Sequence, residues 1–356
     1  MSTEKNDRKF FPALLGAVLL VCASGACDSA RPVDGTVDLR KVSDGKIPVS
    51  KFYERIEILP LDRIAETSAS EPVLSDLCVT GERFVFRADS RKIVTYRRDG
   101  RLADVLEADA DITDFSVYRE EKLDILSGNE MREYDFRDLS LLRKIRLDTA
   151  VTPLRLARRS ENLMILLGYR DDTEYVCEYL FDTGAFYASP GPVRGGDVAD
   201  IVGGIRFLRD GENLLFLYPH NGQLWRCADF VGHFLWPEFK RRDADTLRFL
   251  NAQPAGDKVY YALSLNGETC LLVFDRPTGR SLLVRTFREG LSLPLGVIRD
   301  GVDYFCCPAS DLPRYVRREL LDRESAEAMD AAIRDRRNVV IKYHLRPDAP
   351  GRRGNG

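Results

Sequence analysis

Leu77-Cys78-Val79, Phe84-Val85-Phe86, Ile93-Val94-Thr95-Tyr96 and Leu102 to Leu106 are four short apolar runs packed into residues 77–106. Gly81-Glu82-Arg83 separates the first two, and Arg98-Asp99-Gly100 separates the last two. Short runs rich in Val, Ile, Phe and Tyr between turn residues read as strands, and glycine supplies the positive φ that a tight hairpin needs. The stretch predicts a four-stranded antiparallel meander.

The meander recurs along the chain. An apolar run that starts just after a polar turn reappears at Phe84, Leu123, Leu163, Leu214, Val259 and Tyr304, with offsets of 39, 40, 51, 45 and 45 residues. The glycine turn before the fourth strand recurs as Asp182-Thr183-Gly184, Val231-Gly232 and Pro277-Thr278-Gly279. Six units at that spacing predict an all-β, six-bladed propeller of four-stranded antiparallel blades over residues 37–346. An open ring would leave unpaired strand edges, so a strand from one terminus is expected to complete a blade begun at the other. Ile56-Glu57-Ile58-Leu59 and Val339-Val340-Ile341-Lys342-Tyr343 are the candidates. Between Tyr304 and Val339, Leu320, Ala326, Met329, Ala332 and Ile333 fall at helical spacing, predicting one helix over 319–336 inserted before the closing strand. Residues 347–356 read as a disordered tail.

The other end carries an address. Lys5, Arg8 and Lys9 precede an apolar stretch from Phe10 to Val21, and small residues lead to Ser24-Gly25-Ala26-Cys27. That order is a secretory signal peptide over 1–26, too short for a comfortable membrane span. The small residues before Cys27 read as a lipobox, which makes Cys27 the lipidation site. Cys22 follows the bulkier Val21 and fits that box less well. Residues 27–36, polar with Pro32 and Gly35, read as a lipidated tether of roughly 15–20 Å.

Composition suits a globular body behind that signal, at 44% hydrophobic and 31% charged residues. Removing residues 1–26 takes away three cations and two anions, so the formal charge moves from −3 to about −4. The arginines are dispersed among equally frequent acids, so nothing marks a nucleic-acid binder. Cys78, Cys177, Cys227, Cys270, Cys306 and Cys307 form no C-x-x-C pair and mostly sit in apolar runs, where a cysteine acts as a small buried hydrophobe.

In its pattern the chain resembles the six-bladed β-propeller lipoproteins of Bacteroidetes, a family similar in shape to NHL-repeat and TolB-like propellers. The resemblance rests on Ser50 with Ile56-Glu57-Ile58-Leu59-Pro60-Leu61-Asp62, on Arg83 to Gly100, and on Asn338-Val339-Val340-Ile341-Lys342-Tyr343. The glycine-rich connection usual after the first blade is replaced here by Glu107-Ala108-Asp109-Ala110-Asp111-Ile112. The resemblance implies an outer-membrane, lipid-anchored location in a diderm cell envelope, and implies no reaction.

Catalytic signals are weak. His220, His233 and His344 are the only histidines, and none pairs at zincin spacing. His220 and His233 read as a turn and a strand histidine. No P-loop or G-x-S-x-G elbow is present, so no cofactor, metal or catalytic residue is expected. Asp109, Asp111 and Asp114 could suggest calcium, but they lack the glycine and distal glutamate of an EF-hand and read as a solvated acidic turn. Propeller ligands usually meet loops at one face or the channel. The turns between second and third strands supply the candidates Asp89, Asn129, Arg170, His220, Asn221, Asn266 and Ser310. The resulting expectation is a membrane-anchored binding or scaffold protein whose partner is a glycan, a peptide or an envelope protein. The alternative is a lyase or hydrolase whose site assembles in the channel only on folding.

Overall fold

The computed structural model describes residues 36–346, apart from 41, 43–45, 65–71, 196, 211–212, 228–232, 235–237, 242–245 and 294–295. The signal peptide, Cys27 and the tail from 347 lie outside the described residues, as does the expected turn at Val231-Gly232.

Six four-stranded antiparallel sheets follow one another as the blades of a propeller. Blade 1 is Ser75–Val79, Arg83–Arg87, Lys92–Arg97 and Leu102–Glu107. Blades 2 to 5 repeat that order, opening at Asp114, Thr152, Arg206 and Leu247. First strands of neighbouring blades pack side by side around the centre. The six repeat markers Phe84, Leu123, Leu163, Leu214, Val259 and Tyr304 all fall in second strands. Burial explains why that strand was the visible one. A second strand is covered on both sides by adjacent blades, so Phe84, Val85 and Phe86 are all buried and the run is apolar without alternation. An outer strand such as Leu141–Arg146 is exposed along most of its length, and its sequence turns cationic.

Blade 6 is built from both ends of the chain. Its order is Val297–Arg299, Val302–Pro308, Asn338–Leu345 and, outermost, the N-terminal strand Tyr53–Pro60. The last two pair antiparallel, with Ile56 opposite Tyr343 and Ile58 opposite Ile341. Aromatic rings lock the joint: Tyr53 and Tyr343 stand 4.8 Å apart, and the edge of Phe52 meets Phe287 at 5.8 Å. At the far end of the strand, the Asp62 amide donates to the Gly100 carbonyl at 2.9 Å, tying the closing strand to blade 1. Gly100 has φ +86°, and a β-carbon there would stand 2.4 Å from the Pro60 carbonyl oxygen, so both conformation and space demand glycine.

The inserted helix runs over Arg323–Asp335, between the second and third strands of this blade. It is shorter at its start than the apolar spacing suggests, because Arg318–Leu320 forms a separate 3₁₀ turn. Asp322 caps it by accepting from the Ser325 amide at 2.8 Å. Its buried face, Met329 and Ala332, joins the core shared by blades 5 and 6. Further N-terminal, Thr36–Asp38 pairs in parallel with Glu238–Lys240, placing Val37 and Leu39 in the apolar core between blades 4 and 5. No disulfide links the six cysteines. No helix among the described residues is long and apolar enough to cross a membrane.

Two expectations follow from the joint. Deleting residues 337–356 removes the strand that holds Tyr53–Pro60 and exposes an apolar edge. The truncated chain should lose soluble expression and its cooperative thermal transition. The second concerns Asp303, buried beside Tyr53, with one carboxylate oxygen lacking a hydrogen-bond partner. Burial raises its pKa to about 7, against the Tyr53 hydroxyl bond that lowers it. The folded state therefore holds a proton that the unfolded chain releases near pH 4, and stability falls as pH rises from about 4 to 7, by up to roughly 4 kcal/mol. Asp303→Asn should raise the thermal midpoint at pH 8 and change it little at pH 4, which a pH series of melting curves will show.

Candidate functional site

The two ends of the central channel differ in what their arginines do. On the face that carries the turns between first and second strands, the Arg299 guanidinium reaches from blade 6 to Glu120 of blade 2 at 3.1 Å and donates to the Val79 carbonyl of blade 1 at 2.9 Å. Glu120 also accepts from the Gly81 amide, and Arg209 of blade 4 donates to the Arg158 carbonyl of blade 3. Arg158 itself is fully buried, pairs with Asp124 and Glu133, and stacks 4.1 Å from Phe181. These contacts link several blades at that mouth.

At the opposite mouth lies a cavity of about 400 Å³ lined by Ser75, Asp76, Arg87, Thr113, Leu154, Arg155, Gly203 and Arg206. Most of these residues open or precede the first strands, or end a second strand, in blades 1 to 4, and Gly203 belongs to the short helix Val198–Gly204 that precedes blade 4. Local irregularity aims them. The first strands of blades 1 and 3 shift register between Ser75 and Cys78 and between Pro153 and Arg155, and Asp76 has φ +51°. Such bulges redirect side chains near sites, and aspartate tolerates the left-handed region better than most residues.

Arg87 pairs with Asp76 at 2.6 Å and donates to the Ile112 carbonyl at 3.0 Å. Arg155 pairs with Asp114 at 3.3 Å and donates to the Gly203 carbonyl. Asp114 also accepts from the Leu156 amide at 2.9 Å. Burial raises the Asp114 pKa, and Arg155 works against that shift. Arg206 is partly buried and makes no ion pair among the described residues. Burial, and next the Arg155 guanidinium, lower its pKa, though a guanidinium keeps its proton at any physiological pH. The buried Nε atoms of Arg87 and Arg155 have no hydrogen-bond partner. The site is thus a set of fixed donors suited to holding an anion, with Ser75 and Thr113 hydroxyls beside them.

None of the seven hairpin residues expected from sequence lines this cavity. They lie on the same face, farther from the axis, and their polar atoms serve their own turns or the chain segments packed beside them. Asp89 accepts from the Arg91 amide at 2.7 Å, Asn221 from the Gln223 amide at 2.9 Å, and Asn266 from the Thr246 amide at 2.9 Å. Asn129 gives its carbonyl to the Leu147 amide. Arg170 donates to the Tyr175 hydroxyl at 2.5 Å, and His220 lies against Tyr218. Ser310 sits in the 3₁₀ turn Ala309–Asp311 that opens the inserted segment, so blade 6 has no short hairpin there. Asp109, Asp111 and Asp114 each face a different arginine, namely Arg132, Arg91 and Arg155. His233 lies in a strand, with its side chain outside the described residues.

No family model and no curated protein matches the chain. Among solved structures, it is similar to a protein of Bacteroides fragilis described as exported, with TM-score 0.61 and 10% identity over 87% of this chain and 99% of that one. Looser likenesses are to BamB from Moraxella catarrhalis, TM-score 0.41 at 14% identity over 65% of this chain and 68% of that one, and to Raptor from Chaetomium thermophilum, TM-score 0.46 at 13% identity over 78% and 24%. At these identities the likeness is one of fold.

The paired arginines should behave differently from Arg206 in folding. Arg155→Leu leaves the Asp114 carboxylate without its counter-charge and the Gly203 carbonyl without its donor, so urea denaturation should show a loss of about 2–4 kcal/mol. A loss below about 0.5 kcal/mol would show that the pair contributes nothing to holding blades 2, 3 and 4 together.

Proposed function

We propose that this chain is a membrane-anchored binding or scaffold lipoprotein of the cell envelope, presenting the open channel mouth to its ligand. The observation that carries the reading is the arginine-lined cavity at one mouth: Arg87 and Arg155 are each paired with a carboxylate there, and Arg206 is not. Guanidiniums that stay protonated hold and orient a ligand rather than shuttle protons, which favours recognition over acid-base turnover. The seven hairpin residues Asp89, Asn129, Arg170, His220, Asn221, Asn266 and Ser310 are the surrounding surface over which a larger glycan, peptide or envelope protein would extend.

The address rests on the lipobox at Ser24 to Cys27 and on the resemblance to Bacteroidetes propeller lipoproteins. The fold shared with the exported Bacteroides fragilis protein agrees with it. A diacylglycerol on Cys27 supplies two acyl chains, enough for stable attachment, and the short tether keeps the propeller near the outer-membrane surface.

Cys27→Ser should yield a folded chain with an unchanged thermal midpoint that moves from the membrane to the soluble fraction. Fractionation together with mass spectrometry of the mature N-terminus checks this. An unmodified N-terminus elsewhere, with membrane attachment intact, would sink the lipoprotein reading.

A further inference from the structure

We infer that the open mouth is a carboxylate-binding site, in which the Arg206 guanidinium, aided by the Thr113 hydroxyl, takes a singly charged carboxylate group of the ligand. The inference rests on the binding reading above and narrows its ligand class.

Charge selects the ligand first. Arg87, Arg155 and Arg206 set three positive charges against the two carboxylates of Asp76 and Asp114, leaving one positive charge to neutralise. The unmatched charge is on Arg206, the one guanidinium of the three with no carboxylate in contact. A phosphate dianion would overcompensate the lining and lie against two resident carboxylates. A carboxylate matches both the charge and the planar fork of a guanidinium.

Unfilled donors give an independent argument. The Nε atoms of Arg87 and Arg155 are buried without an acceptor among the described residues, as is that of Arg337 away from the cavity, so they add positive charge to the lining rather than donors that a ligand reaches. The Thr113 hydroxyl accepts from the Gly128 amide at 3.2 Å, so its own proton is left to donate. The lining therefore offers the Arg206 guanidinium and the Thr113 hydroxyl as donors, while the Asp76 and Asp114 carboxylates are engaged by Arg87, by Arg155 and by the Leu156 amide. That asymmetry suits an acceptor-only group, which an ionised carboxylate is. The volume of about 400 Å³ is of the size that takes a terminal group of a larger ligand. The carboxylate can belong to an acidic sugar or to a peptide C-terminus.

The test is a ligand-observed NMR titration of the full chain in detergent at fixed ionic strength. The probes are N-acetylglycine, methyl glucuronate, the neutral N-acetylglycinamide and inorganic phosphate. At least one carboxylate should bind ten times or more tighter than the amide and also tighter than phosphate, and the tighter of the two carboxylates names the source. Arg206→Gln should weaken that carboxylate at least tenfold with the thermal midpoint retained, and Arg206→Lys should fall between the two. Equal binding of the amide, tighter binding of phosphate, or unchanged affinity in Arg206→Gln overturns the assignment. Should Arg206→Gln fail to fold, Asp76→Asn decides: it removes a competing carboxylate and must tighten the carboxylate probe, and unchanged or weaker binding overturns the site. A chain that stays lipid-anchored but binds no carboxylate loses this site alone. A chain that binds carboxylate without membrane attachment keeps the site and loses the envelope address.

Discussion

The pairing of Tyr53–Pro60 with Asn338–Leu345 is the constraint on which the remaining architecture depends. A blade presents two sheet edges and two apolar faces, and only a closed ring covers both faces of every blade. Blade 6 is the sole place where that closure is made by chain ends meeting rather than by a local meander. The energy of the joint comes from packing more than from the ladder itself, because Phe52, Tyr53, Ile56 and Ile58 enter a core that also contains Val284, Phe287 and Met329. Blade 5, the inserted helix and the N-terminal strand are thus held by one shared core. Asp303 sits in the same joint as a buried carboxyl beside Tyr53.

Closure also fixes what can happen at the centre. Once the ring is shut, the first strands of six blades converge, and polar side chains at their ends meet partners more than a hundred residues distant in sequence. Arg299 and Glu120 do so at one mouth. There the charges cancel within the ring, and removing one partner would strand the other. At the opposite mouth Arg87 and Arg155 are matched by Asp76 and Asp114, while Arg206 is not. Arginines therefore perform a structural task at both ends of the channel, and Arg206 alone of the three at the cavity is left without a carboxylate in contact.

Much of the fold was legible because it rests on local chemistry. The second strands declare themselves as continuous apolar runs, and Gly100, Gly184 and Gly279 all take the positive φ inferred from their turns. Ile56 to Leu59 and Val339 to Tyr343 were readable as closing strands because an unpaired edge has no other remedy. The cavity was not legible. Arg87, Arg155 and Arg206 lie in three different blades with no common motif around them, and each looks like one more dispersed arginine in a chain rich in them. The bulges that turn Asp76 and Arg155 toward the mouth insert residues that no alternation pattern reveals. Hairpin residues such as Asn221 and Asn266 stood out for the opposite reason: turn chemistry is visible in sequence, whether or not the turn meets a ligand.

What separates Arg206 from the other arginines is that the fold gains little from it. A partly buried cation with no carboxylate in contact carries a desolvation cost, to which the nearby Arg155 adds repulsion and which Asp76 and Asp114 offset in smaller part. Local rules broken without structural return are characteristic of sites where the return is a ligand. The rigid blades then act to advantage: desolvation and orientation of the donors are borne by folding, so an incoming anion need not arrange them. A ring that closes firmly at Tyr343 and staples one mouth at Arg299 can hold an uncompensated charge at the other without collapsing around it.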